Sequence, residues 1–278
     1  SGGSSKTDLE TMFQLIHLRF TQPRPDPAAY AVLAGRIKAV LANQQATPAF
    51  AFNAALESEL RGDHPRAQPF TGEDVDKIDF DKAVAFYRDR FADAGDFTFV
   101  FAGSFDLATM KPLVERYLAS LPSNGRKESW KDTGIRYSTG VVERRVEKGL
   151  EPQSRAALVF TGPFDYDQTQ RVAIRAVADV LETRLRETLR EDLGGTYGVG
   201  VSAGYGKYPV GEYSLSIMFN ADPKRTEELL TAARAQIELL RMEGPSDAQV
   251  ADVKAKLSRD LETNMKENGF IVGQLIAK

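Results

Sequence analysis

Cysteine is absent from the sequence, and histidine occurs only twice, as His17 and His64. Without cysteine the chain can form neither disulfides nor thiolate metal sites. The same absence fits either a reducing cytosol or a cell-envelope protein that avoids oxidation. The pattern of apolar residues predicts His17 on an amphipathic helix and His64 in a loop, and neither is expected to bind a metal.

The sequence also has no basic stripe and no long apolar run. Its net charge of -3 comes from interspersed acidic and basic residues, so nucleic acid is not an expected partner. No segment approaches the roughly 20 apolar residues that a membrane-spanning helix needs. The first residues, SGGSSKTDLE, lack the charged and apolar regions of a signal peptide. Because the start is expected to lie inside a longer protein, this absence does not indicate a location.

What is present is a globular composition that contains an internal repeat. Hydrophobic residues make up 42% of the 278 residues and charged residues 27%, which is enough to build a core in one large or two medium domains. A hydrophobic pattern recurs at a constant offset, with Pro25 and Pro245 lying 220 residues apart. The matching positions are Pro25, Tyr30, Leu33, Ile37, Leu41 and Phe50 in the first copy and Pro245, Val250, Val253, Leu257, Leu261 and Phe270 in the second.

The repeat predicts two homologous domains, neither of them complete. Residues 1–122 are expected to be the C-terminal part of a first domain, and residues 123–138 a linker. Residues 139–278 are then the N-terminal and central part of a second domain. The chain is therefore expected to be a window cut from a longer protein.

Periodicity and capping residues predict an α+β fold. Neighbouring strands joined by short turns and backed by helices favour an antiparallel or mixed sheet with helices on one face. Predicted strands lie at 97–102, 139–147, 155–161, 196–204 and 211–219. Predicted helices lie at 7–20, from Asp26 through the repeated apolar series, at 49–60, from Asp79 to Phe91, up to Leu121, from about 168 to Gly194, and from Asp222 to Met242.

The segment LREDLGGTYGVGVSAGYG, residues 189–206, carries the candidate chemistry. Arg190 is predicted on the last turn of a helix and Tyr197 at the start of a strand, with two glycines between them that reverse the chain. Such a turn can aim both side chains into one cleft, and Gly198 and the glycines after it would let a peptide backbone approach. A guanidinium and a phenol could together hold a peptide carbonyl and stabilise its oxyanion. The alternative is that Arg190 only complements the helix dipole and Tyr197 is an ordinary strand residue.

Four stretches of the sequence resemble the C-terminal half of the M16 zinc peptidases, the group of pitrilysin and insulin-degrading enzyme. They are SSKTDLETMFQLIHLRFTQPRPDPAAY, FTFVFAGSFDLATMKPLVERYLASLP, EKGLEPQSRAALVFTGP and LREDLGGTYGV. The resemblance extends over nearly the full chain, and bacterial envelope members are the most similar. It implies two M16-type domains and places the family's substrate-binding arginine and tyrosine on Arg190 and Tyr197.

The resemblance also implies what this chain does not carry. The family holds its catalytic zinc with a His-x-x-Glu-His motif, and neither His17 nor His64 begins one. The zinc would therefore be bound by an N-terminal catalytic half of the same protein, the main partner expected besides a peptide substrate. The implied function is the non-catalytic, substrate-binding half of a zinc endopeptidase, inactive alone and located in the periplasm or cell envelope. The alternative is a metal-free scaffold or partner subunit of an active peptidase.

Overall fold

The computed structural model describes residues 1–277, which form two compact units. The first unit comprises Ser1–Ala46, Phe70–Lys131 and the residues from Thr263 onward. The second comprises Thr47–Pro69 and Asp132–Glu262. The chain thus passes back and forth between the units, and the predicted division at 1–122 and 139–278, which follows the repeat along the sequence, stays a prediction.

The elements follow one another as helices first, then a small sheet interleaved with helices, then helices again. Two helices, α6 and α7, continue directly into π-helical turns, at Val114–Leu118 and Arg186–Asp192. In chain order the elements are α1 (Leu9–Thr21), α2 (Pro27–Gln45), α3 (Pro48–Leu60), α4 (Gly72–Asp76), α5 (Phe80–Phe91), α6 (Leu107–Leu113), β1 (Ser154–Pro163), α7 (Gln168–Leu185), β2 (Val199–Gly206), β3 (Glu212–Ala221), α8 (Thr226–Glu243), α9 (Asp247–Asn264) and α10 (Asn268–Ile276).

The helix boundaries reproduce the repeat and the predicted caps. Helices α2 and α9 begin 220 residues apart, and so do α3 and α10. The Asp26 side chain accepts a hydrogen bond of 2.9 Å from the N–H of Ala29, and Pro27 occupies the first helical position. Asp222 does not open its helix as predicted, because its carboxylate accepts from the N–H of Lys224 in a local turn and α8 begins only at Thr226.

Aromatic side chains form the core of the first unit. Phe13 of α1 is fully buried and stacks on Phe101, with ring centroids 5.3 Å apart. Phe20, two turns further along α1, meets Phe97 edge-on at 4.8 Å and lies 5.7 Å from Phe99. Alternate residues of the 97–102 segment therefore contact one helix. This packing accounts for the apolar character of the segment.

Two predicted strands, 97–102 and 139–147, are wrong. Among residues 1–277 neither segment pairs with a neighbouring strand. Apolar residues at 97–102 pack on α1, and the 139–147 segment is exposed, with Val141 93% exposed. A strand requires a partner for its backbone hydrogen bonds, and local sequence does not supply one.

The second unit is built on an antiparallel sheet with strand order β1-β3-β2. Ile217 at the centre of β3 pairs with Leu158 on one side and Val201 on the other. Helices α7 and α8 cover one face, which confirms the α+β class. Between that face and the helices lies an apolar core of Ala156, Leu181, Leu185, Leu189, Ile217, Phe219, Leu229 and Ala233.

A buried carboxylate fastens the first part of the predicted linker inside the first unit. Asp93 is completely buried and accepts hydrogen bonds from the N–H groups of Gly95, at 2.9 Å, and Arg126, at 2.7 Å. The Arg126 guanidinium reaches Asp96 at 2.7 Å. Burial raises the pKa of Asp93, but the donated hydrogen bonds outweigh it and hold the pKa below its usual value.

Candidate substrate-binding site

The candidate site lies at the C-terminal end of α7. Asp167 caps the other end of this helix by accepting a hydrogen bond of 2.8 Å from the N–H of Gln170. Leu181, Leu185 and Leu189 recur every four residues and are buried in the sheet-facing core. Because Leu189 lies within the π-helical turn, the core holds this turn from the inside.

The two glycines that end the turn are required for different reasons. Gly194 has a φ of 56°, a left-handed conformation that residues with a Cβ adopt at a cost. A Cβ on Gly195 would lie 2.5 Å from Cδ2 of the fully buried Leu229, so close packing against α8 requires glycine here. The N–H of Gly195 donates to the carbonyl of Leu189 at 2.9 Å, which closes the helix end. The predicted reversal at the glycine pair is confirmed.

Arg225, which belongs to none of the predicted site motifs, connects this turn to α8. Its guanidinium donates a hydrogen bond of 3.1 Å to the carbonyl oxygen of Leu193 and pairs with Glu228 at 2.8 Å. The hydrogen bonds that Arg225 donates to the Glu228 carboxylate raise the pKa of Arg225. The sequence indicates only the ion pair, because an arginine three residues before a glutamate at a helix start can contact it within one turn. The carbonyl that it satisfies is 32 residues away and could not be found from that spacing.

Arg190 and Tyr197 lie on the outer side of this fixed turn. Arg190 is exposed within the π-helical turn, and Tyr197 is 98% exposed. Tyr197 precedes β2 and does not begin it, because Thr196 Oγ1 bonds to both the N–H and the carbonyl of Gly198 and holds a tight turn there. Within residues 1–277 neither Arg190 nor Tyr197 makes a hydrogen bond or ion pair. Their polar groups are therefore available to a ligand.

Gly198, the residue after Tyr197, has open space around it. A Cβ placed on it would meet no atom within 4 Å, and the same holds for Gly200 on β2. The three predicted site residues thus lie on one segment. The guanidinium of Arg190 comes first, then the phenol of Tyr197 and then the unobstructed backbone of Gly198. Such a set can donate hydrogen bonds to a peptide carbonyl but contains no base to activate water.

The two histidines make structural hydrogen bonds. His17 of α1 donates from Nδ1 to the carbonyl of Tyr117 at 2.9 Å. His64 uses both ring nitrogens, donating to the carbonyl of Thr133 at 3.1 Å and accepting from the N–H of Arg66 at 3.2 Å. In the part of the chain that the structure describes, no group of three or more His, Cys, Asp or Glu side chains could hold a metal ion. These residues do not fit a zinc site.

Known proteins match between 58% and 97% of the chain. The family described as "Peptidase M16 inactive domain" matches residues 77–257. "Zinc protease PQQL-like" of Arabidopsis thaliana is 23% identical over 97% of this chain and 30% of its own length. "Probable zinc protease PqqL" of Haemophilus influenzae is 30% identical over 58% of this chain and 17% of its own length. The chain thus spans less than a third of either curated relative.

Solved structures show the same fold. The periplasmic protease PqqL from Escherichia coli superposes with a TM-score of 0.83 at 21% identity, over 97% of this chain and 30% of that one. A peptidase M16 inactive domain from Pseudomonas fluorescens gives a TM-score of 0.73 at 20% identity, over 98% of this chain and 64% of that one. The arrangement of helices and sheet described above is therefore shared with these proteins.

Proposed function

The chain belongs to the peptidase M16 inactive-domain family, and from this premise we propose that it is the substrate-binding, non-catalytic half of a zinc endopeptidase. The curated relatives that it matches are named zinc proteases and are more than three times as long as the matched part. The chain's own contribution is to bind and orient a peptide. Cleavage then depends on a catalytic half carried elsewhere in the protein.

Arg190 and Tyr197 are the groups that we assign to the peptide. The observation that carries the assignment is the contrast between the fixed inner side of the turn, at Leu189 and Gly195, and the free polar groups on its outer side. The guanidinium offers five donors in a rigid fork and the phenol offers one. Aimed at a peptide carbonyl, they polarise it and stabilise the oxyanion that forms when it is attacked. Gly198 leaves space for the peptide backbone.

Zinc enters this proposal only as the metal of the catalytic half. The described residues offer no ligand set for it, so the chain alone is expected to release no peptide product in a buffer that contains zinc. We place the whole protein in the periplasm or cell envelope, because the similar PqqL protease from Escherichia coli is periplasmic. No helix among residues 1–277 is long and apolar enough to cross a membrane.

The test is Tyr197→Phe in the full-length protein that contains this chain. Removing one oxyanion donor lowers the rate of acyl-transfer enzymes by about 100-fold or more, so kcat/KM should fall steeply while folding is unchanged. Tyr166→Phe, which removes a hydroxyl from another tyrosine of the second unit, is the matched control and should leave kcat/KM unaltered. An unaltered kcat/KM for Tyr197→Phe overturns the assignment.

Arg190 is tested by comparing lysine with alanine. Arg190→Lys keeps the charge but loses the planar fork of donors, so it should recover only a small part of the activity that Arg190→Ala loses. If the full-length protein shows no zinc-dependent hydrolysis of any unfolded protein or peptide, the enzyme proposal fails and the metal-free scaffold takes its place.

A further inference from the structure

We propose that the free edge of β2 binds an extended peptide as an additional strand of the sheet. This inference rests on the proposed function and describes how the main chain of the substrate is held beside Arg190 and Tyr197. The peptide would pair through its backbone, so sequence preference at this edge would be weak. Its recognition would depend on extended conformation, which unfolded proteins and peptides provide.

The strand order leaves one side of β2 unpaired. The strand pairs with β3 from Val199, opposite Phe219, to Gly206, opposite Glu212. In the part of the chain that the structure describes, no other segment bonds to the backbone of β2. Adjacent residues of a strand point their N–H and C=O groups to opposite sides. About half of the backbone groups of β2 therefore face outward without a protein partner.

The edge of β2 lacks the residues that usually prevent an edge strand from pairing with another chain. Edge strands normally carry charged residues or proline, which block pairing with another chain. From Val199 to Gly206 the strand has neither, and the first charged residue is Lys207. The opposite edge strand, β1, contains Arg155 and ends at Pro163. The sheet is thus protected at one edge and open at the other.

The open edge is also unobstructed by side chains. The residues of β2 that face solvent are Gly200, Ser202 and Gly204, whereas Val201 and Ala203 turn inward. A peptide laid along this edge would meet the backbone of β2 with little interference from its side chains. Close backbone approach is what glycine in a strand permits.

The position of the edge decides between a peptide and a second copy of the chain as its occupant. Tyr197 lies two residues before the first residue of β2. With a rise of about 3.3 Å per residue, a peptide paired to the start of β2 passes about 7 Å from the backbone of Tyr197. The edge therefore continues directly into the group of polar side chains assigned to the substrate. A substrate peptide can use both features at once.

The experiment uses adjacent proline substitutions in the whole chain. Ser202 and Ala203 lie at mid-strand, so the N–H of one faces β3 and the N–H of the other faces the open edge. The variant whose lost N–H faced β3 should unfold at a lower temperature. Of Ser202→Pro and Ala203→Pro, the one whose lost N–H faced the open edge should keep its unfolding midpoint. Binding of a fluorescein-labelled peptide of alternating valine and threonine, flanked by lysine, is measured by anisotropy. The variant that keeps its midpoint should bind it at least about fivefold more weakly than the unsubstituted chain.

A second measurement uses the unsubstituted chain and does not depend on how the variants fold. The same peptide methylated on every backbone nitrogen has no donors for a ladder and should bind at least about tenfold more weakly. Equal affinity for the two peptides, no binding of either, or full binding by the variant that keeps its midpoint overturns the proposal. A concentration-dependent dimer without peptide binding would assign the edge to a second copy, which also overturns it.

The outcome is separable from that of the proposed function. Loss of kcat/KM in Tyr197→Phe together with unimpaired peptide binding by the edge variant leaves the proposed function standing and removes only the added strand. Unaltered kcat/KM in Tyr197→Phe together with edge-dependent binding removes the assignment of Tyr197 and leaves the added strand standing.

Discussion

Different interactions stabilise the interiors of the two units. In the first unit, rings from α1 and the 97–102 segment stack on one another, and a buried carboxylate, Asp93, gathers backbone donors around itself. In the second unit, aliphatic side chains from α7 and α8 fill the space below a sheet. Asp93 is the one polar residue buried within residues 1–277. The first unit therefore contains a buried charged group, whereas the core of the second unit is entirely apolar.

The close packing of the second unit explains how its surface can carry a site. An apolar interior fixes the turn at Leu189 and Gly195 without using polar groups on its outer side. Arg190 and Tyr197 are exposed on this surface and make no hydrogen bond or ion pair within residues 1–277. Substitutions in the packed interior and on the free surface test this division, and the largest effect is expected in the interior.

Leu189→Ala should have the largest effect. Its side chain is fully buried, and truncation of a buried leucine typically lowers the free energy of unfolding by about 2 to 5 kcal/mol. Urea denaturation followed by circular dichroism measures the change. The control is Arg186→Ala, an exposed position on the same π-helical turn, where the change should stay within about 0.5 kcal/mol. Equal effects at the two positions would contradict the packed inner side.

Gly195→Ala should have the next largest effect. The added methyl group would lie 2.5 Å from Leu229 Cδ2, and overpacking of this kind typically costs about 1 to 3 kcal/mol. Gly200→Ala meets no atom within 4 Å and has no positive φ, so its free energy of unfolding should change far less. If both alanine variants unfold alike, the turn is not held by contact with α8.

Asp93→Asn should give a smaller, pH-dependent effect in the first unit. The pKa of Asp93 lies below its usual value of 3.8, so its carboxylate stabilises the folded state above that value. This contribution is lost as the pH falls through the lowered pKa. The difference in unfolding midpoint between the variant and the unsubstituted chain should therefore be largest near pH 7 and become smaller as the pH falls below 3.8. A difference that is constant across this range would show that the charge of Asp93 is not what stabilises the unit.

Arg190→Ala and Tyr197→Phe should have the smallest effects on stability. Both side chains are exposed and lack partners in the described part of the chain, so the free energy of unfolding should change by less than about 0.5 kcal/mol. If Arg190 serves only to complement the helix dipole, its removal should cost up to about 1 kcal/mol, and added salt should diminish that cost. Unfolding at low and high ionic strength separates the two roles.

Much of the helical structure could be predicted from the sequence. The apolar repeat and the caps at Asp26 and Asp79 gave helix starts that agree with the structure. The predicted strands 155–161, 196–204 and 211–219 correspond to β1, β2 and β3 with shifts of up to three residues. The strands at 97–102 and 139–147 were wrong, since an apolar or alternating run indicates only that a segment could be extended.

The candidate site was predictable in part. The sequence singled out Arg190, Tyr197 and the glycine pair, and the structure shows why each glycine is needed. It could not indicate the carbonyl contact of Arg225 or the π-helical form of the turn. Both depend on residues brought together by packing of α7 against α8.

The sequence by itself determined the family, the repeat and most helix boundaries, because helices bond between residues three to five positions apart and family motifs are written in consecutive residues. Only the tertiary structure decided which extended segments pair, which edge of the sheet stays open, and that Arg190 and Tyr197 face solvent. The physical reason is that strand pairing and exposure are set by contacts between residues far apart in the chain.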